Sequence, residues 1–512
     1  MSSTTTAILH SALLDPRETL YLKKGGELGD PGDTSLLGVI PPTAPGNFGS
    51  KAFRKEFSLR YAYVGGSMVG GISSVDMVAA LADMAVLGMF GASGLPPSAV
   101  EDAVVKLQSL LGGRTFGSCL IHSPQDPSWE EEVVDIYLRR GVNLVEASAF
   151  MQMTPSLVRY RLHGLKELPD GTIVAPNRIM AKVSRLELAR RFFSPPPPKL
   201  VQEALDRGWI TDQEASLAPL TPMAQDLTAE ADSGGHTDFR PALTLWPSML
   251  KLADECTRKF GYRQALRVGA AGGLGAPAAV LAAHDMGLAY FVTGSVNQSC
   301  LESGLSAEAR ALLAKAGQAD VSQAPAADMF ELGAKVQVLK YGTLFAPRAL
   351  KLAELHRRHD RLEDLPEEEV QFLEDKIFRR SLAQVWTETR EFFQRRDPPT
   401  LAKAEADPKL KMALVFRWYL GQAARWAING VEERRSDWCI FCGPSLGAFN
   451  EWAAGTYYAD PANRRVADVA ALLLYGAAVL KRVAHARDFG VSPGDLPVSV
   501  PPLPPEELSR YV

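Results

Sequence analysis

From Arg60 onward the apolar residues fall into short runs, each followed by a stretch in which apolar positions return every three or four residues. Strands buried on both faces of a parallel sheet read as continuous apolar runs, and the helices that cover them read as amphipathic. Strands are therefore predicted at 62–66, 86–90, 115–121, 143–147, 178–183, 226–230, 265–269 and 289–293. Helices are predicted at 74–85, 97–111, 129–140, 155–165, 198–206, 245–260, 276–286 and 305–316. Eight βα units is the number that closes a barrel. The expected fold class is α/β, a (β/α)8 TIM barrel, and counting leaves a doubly wound open sheet as the alternative.

The pattern changes elsewhere. Residues 1–55 are rich in Gly and Pro with little periodicity, which predicts an irregular N-terminal segment across the barrel, frayed over 1–10. The barrel is expected over 56–345, with a long insertion near 185–225 whose Pro run at 195–198 reads as an extended spacer. Residues 346–435 are charged, with Leu, Phe and Trp at helical spacing, and predict an added helical module beside the barrel mouth. Residues 436–512 are expected to pack back on the barrel, with Pro-rich 491–505 as a surface strap.

Composition narrows the function classes. The 512 residues carry 55 Lys and Arg against 59 Asp and Glu, a net charge of −4. A nucleic-acid or anionic-membrane binder would normally be basic. No apolar run approaches the ~20 residues of a membrane span, and no basic region followed by an apolar one opens the chain. The five scattered cysteines suggest reduced thiols, hence a cytoplasmic protein. Cys439 and Cys442 have CxxC spacing but no second pair and no His pair nearby, so no metal site is expected.

Active sites of such barrels form at the C-terminal strand ends, and the loops after strands seven and eight are the usual phosphate clamp. Here those loops are Gly269–Gly275, with Gly272 and Gly273, and Thr293-Gly294-Ser295. Glycines let backbone N–H groups approach a phosphate. The first run lacks the downstream acidic residue of a dinucleotide fold, which favours a mononucleotide such as FMN. Small residues at 64–71, with Gly65, Gly66 and Met68, and at Gly91–Gly94 would let a planar ring lie against the backbone.

The sharpest local signal is Glu230-Ala231-Asp232-Ser233-Gly234-Gly235-His236-Thr237-Asp238 at the end of strand six. Buried strand ends rarely hold so many polar groups without use, and His236 can donate a proton near neutral pH. Lys182 ends strand five among apolar neighbours. Its charge suits the electron-rich N1/O2 edge of a reduced flavin, and a Schiff base is chemically open to it. His122, after strand three, is a weaker candidate.

Long segments in order resemble the PfaD-type proteins, the trans-acting enoyl reductases of polyunsaturated fatty acid synthases and trans-acyltransferase polyketide synthases. These include Asn177–Arg185, Glu230–Asp238, Gly269–Gly275, Thr293–Gln298, Ala324–Glu331, Lys335–Lys340, Lys411–Leu420, Cys442–Pro444 and Gly447–Asn450. That family in turn resembles flavin-dependent enoyl-ACP reductases and nitronate monooxygenases. Two positions depart from the pattern: Cys119 stands where the wider group tends to have Asn, and Phe441 where Trp commonly precedes Cys-Gly-Pro. Cys119 cannot reproduce the two-way hydrogen bonding of an amide.

The resemblance implies an FMN- and NADPH-dependent reduction of enoyl thioesters on acyl carrier protein, in polyketide or fatty acid biosynthesis. It implies His236 as proton donor or carbonyl polariser, with Lys182 as second choice or flavin partner. It implies cofactor contacts from Gly65, Gly66, Met68, Gly91, Cys119, Glu146, Lys182, Ser233, Gly234, Gly235, Gly272, Gly273, Gly294 and Ser295. The helical module becomes a substrate- and carrier-binding element, its basic groups His356–His359, Arg361, Arg379-Arg380 and Arg395-Arg396 being candidates to meet an acidic carrier. A homo-oligomer is compatible with all of this. The alternatives are a nitronate monooxygenase of the 2-nitropropane dioxygenase type and a flavin-free assembly factor of a synthase.

Overall fold

The computed structural model describes residues 3–122 and 127–512. Eight parallel strands close into a barrel: β1 (Tyr63–Gly65), β2 (Leu87–Phe90), β3 (Gly117–Ile121), β4 (Leu144–Ser148), β5 (Arg178–Val183), β6 (Asp226–Glu230), β7 (Arg267–Ala271) and β8 (Phe291–Thr293). Each pairs with the next, and β8 pairs with β1, so the open-sheet alternative does not apply.

Strand alternation decides what faces the axis. Along β5, Ile179, Ala181 and Val183 pack outward on the helical layer, while Met180 joins Val64, Leu87, Met89, Leu144 and Val292 in a separate inner core. With a two-residue period, Arg178 and Lys182 share the inward row with Met180. The same parity sends Glu146 inward on β4, Glu230 on β6 and Cys119 on β3, since Val145, Leu227, Ala229 and Leu120 point outward. The barrel floor is plugged by the helix Lys51–Phe57, whose Phe53 stacks on Tyr290 at 4.4 Å. Arg267 bridges Asp226 and Glu56 there, at 2.6 Å each. Gly269 makes room for the Tyr290 ring, since a Cβ would lie 2.1 Å from it. That glycine belongs to the packing of the barrel and not to a phosphate loop.

The eighth outer helix is not the predicted 305–316. The helix there, Ala307–Leu313, turns its Ala309, Leu312 and Leu313 to Leu339, Trp438, Ile440 and Leu446. The place between the helices Pro277–Asp285 and Val75–Asp83 is taken by Val466–Asp488. The part between β8 and this helix is therefore inserted. It holds the strands Val321–Pro325 and Lys335–Leu339, which pair antiparallel with each other, and the second of them also pairs with Gly235–His236. Helices from Phe345–Arg358 to Pro408–Asn429 follow, with an apolar core of their own.

Two further expectations change. Residues 1–55 are organised: a helix covers Ser3–Leu14, and Leu20–Lys23 pairs with Leu36–Ile40. Leu9, Leu13, Leu20, Leu22 and Ile40 share a core with Ala486 and Val491, so the segment packs on the end of the helix Val466–Asp488. Met1 and Ser2 lie outside the described residues. The Pro run at 195–198 is short, because Pro198 already opens the helix Pro198–Asp206, where proline is tolerated. Among the described residues no helix is long and apolar enough to cross a membrane.

Candidate active site

A cleft opens at the C-terminal ends of the barrel strands, lined by residues of β3 to β8, by the loops after β1 and β2, and by the segment around Phe441 and Ser445. At its floor lies a trio of charged groups. Lys182 Nζ is 3.8 Å from Glu146 Oε2 and 3.8 Å from Glu230 Oε1. Glu146 is fully buried, and the Lys182 and Glu230 side chains are 19% and 16% exposed. Burial works against the Lys182 charge, but Glu230 and Glu146 outweigh it and hold the ammonium above its ordinary pKa. Burial is the largest influence on Glu230, opposed by Lys182 and reinforced by Glu146, and it lifts this carboxyl above the usual range. With both carboxylates ionised the trio would carry one net negative charge; a proton on Glu230 makes it neutral.

The Ser67 N–H and hydroxyl both donate to Glu146 Oε2, the former at 3.1 Å. Glu146 Oε1, on the same carboxylate, has no hydrogen-bond partner, and neither has Gln298 Oε1; both are buried and both residues line the cleft. Two such acceptors are placed to take N–H or O–H groups of a ligand or of water in the cleft. Cys119 sits opposite Glu146 in the strand register, and burial, then the Glu146 charge, push its thiol pKa up. It is a small neutral group in the wall of the cleft.

The loop after β6 is held from several sides. Ser233 Oγ donates to Glu230 Oε1 at 3.2 Å, and Gln337 Nε2 donates to Asp232 Oδ1 and to the Ser233 carbonyl at 2.7 and 2.8 Å. Arg185 forks onto Asp238 at 2.7 and 2.8 Å. His236 is half-buried, pairs in register with Val336, and has Nε2 3.0 Å from Asp328 Oδ1. Burial alone would lower its pKa; the Asp328 hydrogen bond and charge, with Glu230, overcome this and raise it. Sequence reasoning does not reach Asp328 and Gln337 as site residues: they lie in a strand-loop-strand unit far along the chain, and no spacing ties them to His236.

The cleft brings together Gly66, Met68, Cys119, Glu146, Lys182, Ser233, Gly234, Gly235, His236, Gly272, Gly294 and Ser295. Gly65, Gly91 and Gly273 lie outside its lining. A Cβ on Gly65 would meet Leu81 at 2.3 Å, and one on Gly91 would run into the Met68 carbonyl at 1.8 Å, so both serve packing. Gly272 adopts φ +80°, and a Cβ there would sit 2.7 Å from Ala231 and Asp232. The glycine loops also fit the C-terminal segment: Gly234 and Gly443 press backbone on backbone, and a Cβ on Gly275 would fall 2.0 Å from the Ser445 carbonyl. Gly275→Ala is expected to cost about 1–3 kcal/mol, seen as a lower urea midpoint, because no rotamer can relieve a backbone clash.

Other candidates stand apart. The His122 ring is 3.3 Å from Glu130 and stacks on Phe150, outside the cleft lining. Cys439 and Cys442 are buried free thiols, the latter pushed up to about 12 by burial, and the described residues contain no metal-binding cluster. Of the basic groups in the module, Arg358, Arg361, Arg379 and Arg380 are engaged with Glu354, Asp364, Asp437 and Glu388.

Residues 359–438 match the family model of the inserted helical domain of [acyl-carrier-protein] S-malonyltransferase. The chain is 44% identical over 457 residues to a component of the polyunsaturated fatty acid synthase of Thraustochytrium sp., covering 88% of this chain and 30% of that protein. It is 42% identical over 435 residues to the polyketide biosynthesis protein PksE of Bacillus subtilis, covering 85% of this chain and 56% of the relative. This chain thus spans well under two thirds of either relative. Among solved structures, the enoyl reductase domain of MlnA, from the macrolactin biosynthesis cluster of Bacillus amyloliquefaciens, aligns with a TM-score of 0.81 at 34% identity. That alignment covers 86% of this chain and 98% of the domain.

Proposed function

Since the chain belongs to the PfaD-type family of enoyl reductases from polyunsaturated fatty acid and trans-acyltransferase polyketide synthases, we propose that it is an FMN-dependent, NADPH-consuming enoyl reductase acting on thioesters of acyl carrier protein. The observation that carries this reading is the cleft itself, where the Glu146–Lys182–Glu230 trio, two unpartnered acceptor oxygens and His236 face one space at the barrel mouth. These residues fit a flavin mononucleotide. Glu146 Oε1 and Gln298 Oε1 would accept from its ring or ribityl donors, and Gly272, Gly294 and Ser295 would hold its phosphate. When bound, FMN would supply hydride chemistry to the enoyl group, with NADPH as the source of reducing equivalents.

The remaining chemistry belongs to the protein. Lys182 presents a fixed ammonium at the cleft floor, where it favours electron density on a ring edge. His236 gives a proton to the α-carbon or polarises the thioester carbonyl as charge develops. The inserted helical part offers a surface for the carrier protein, a role supported by its match to a domain of an acyl-carrier-protein enzyme.

The test is anaerobic mixing of the purified chain with FMN, NADPH and an enoyl thioester on carrier protein or pantetheine. Saturated product is expected, formed with NADPH oxidation. No product would overturn the reading, and oxygen-dependent turnover of alkyl nitronates without NADPH would replace it with the monooxygenase alternative.

A further inference from the structure

We propose that Asp328 is a positioning residue for this reaction: it holds the Nε2 edge of His236, so that Nδ1 is the ring nitrogen presented to the substrate. The inference rests on the reading of His236 as the proton donor. Its geometric basis is the inserted sheet. Gly235–His236 pairs with Lys335–Leu339, and Asp328 lies in the loop that leads into that same strand. Glu331 ties this loop to the helix Pro408–Asn429 through Arg417 at 3.1 Å. The ring and its carboxylate partner therefore hang from one unit, and the barrel alone sets neither.

The pairing has a chemical consequence. A neutral imidazole that donates its Nε2 proton to Asp328 has only an acceptor at Nδ1. To donate, His236 must be the imidazolium, with N–H groups at both nitrogens. The Asp328 carboxylate stabilises that form, as does Glu230; Lys182 opposes it, and Arg417 acts on Asp328. In the transfer the Nδ1–H bond breaks and a C–H bond forms at the α-carbon, using the electron pair of the enolate that hydride addition at the β-carbon leaves. The ring is left neutral, its Nε2–H still donated to Asp328, ready to be recharged from solvent.

The proposal is tested on the full chain labelled with 13C-histidine, without added cofactor, by following the imidazole resonances through a pH titration. His236 is assigned by its loss in His236→Gln. In Asp328→Asn the His236 midpoint is expected to fall by about one pH unit, and in Asp328→Glu to stay near the wild-type value. The other histidines serve as the control that the fold is intact. The falling limb of kcat/KM for enoyl reduction should move to lower pH with the same step. A His236 midpoint that does not move in Asp328→Asn overturns the proposal alone. A midpoint that falls while the limb stays in place overturns the proton-donor reading on which it rests.

Discussion

His236→Ala is expected to lower the rate of enoyl reduction by about 10²- to 10⁴-fold while leaving the protein folded. The imidazole is half-buried and pairs with Asp328, whose side chain is 47% exposed. Its removal therefore leaves a carboxylate that water can reach and not a charge stranded in a core. Anaerobic turnover with an enoyl thioester, read beside a thermal melt, checks both halves. A melt near wild type with turnover reduced as stated is the expected pair. Full turnover would remove His236 from the chemistry. The wild-type rate is also expected to decline as pH rises through the raised His236 pKa, because the donating form is the protonated one.

Lys182→Met should act on the fold and the cofactor together. The ammonium lies between Glu146, which is fully buried, and Glu230, and both it and Glu230 are mostly withdrawn from solvent. Taking out the cation leaves two carboxylates facing each other in a low-dielectric cleft, and breaking a buried pair in this way costs about 3–5 kcal/mol. The sign of the pH dependence follows from Glu230, whose folded pKa already lies above the ordinary value and would rise further without Lys182. A carboxyl with a raised folded pKa favours the fold while protonated and loses that contribution as pH rises through the folded value. The deficit of Lys182→Met should therefore be small in mild acid and grow toward neutrality. Urea unfolding at several pH values checks this, and a uniform deficit would show that the trio is not electrostatically coupled. FMN retention, followed by visible absorbance, is expected to drop in parallel.

The barrel is legible in the sequence because its strands are buried on both faces and bounded by polar turns. Arg178–Val183 and Asp226–Glu230 carry the predicted bounds. What those continuous apolar runs hide is the facing of each residue. That Lys182, Glu146 and Glu230 converge follows from parity against Met180 and Leu144, which only the two separate cores reveal. The helix at 305–316 has the right period and follows β8, so local reasoning gives it the closing place. Periodicity says that a helix has an apolar face but not which neighbour covers it. The glycines mislead for a related reason. Gly234 and Gly275 signal close approach, and the approaching group is the backbone of Cys442–Ser445. The His236 loop is visible as an excess of polar groups. Its carboxylate partner is not, because Asp328 reaches it only through the pairing of two distant strands.

The late closing helix also imposes an order of events on a chain leaving the ribosome. All eight barrel strands emerge before the inserted sheet and helices, and Val466–Asp488 emerges after them. Until it arrives, the gap between Val75–Asp83 and Pro277–Asp285 presents an apolar flank to solvent, the kind of transient surface on which chaperones act. The inserted core can consolidate first, and the ring is sealed only afterwards. The same helix then buries the N-terminal Leu9 and Leu13 side. Segments more than 450 residues apart in sequence thus finish folding against one another.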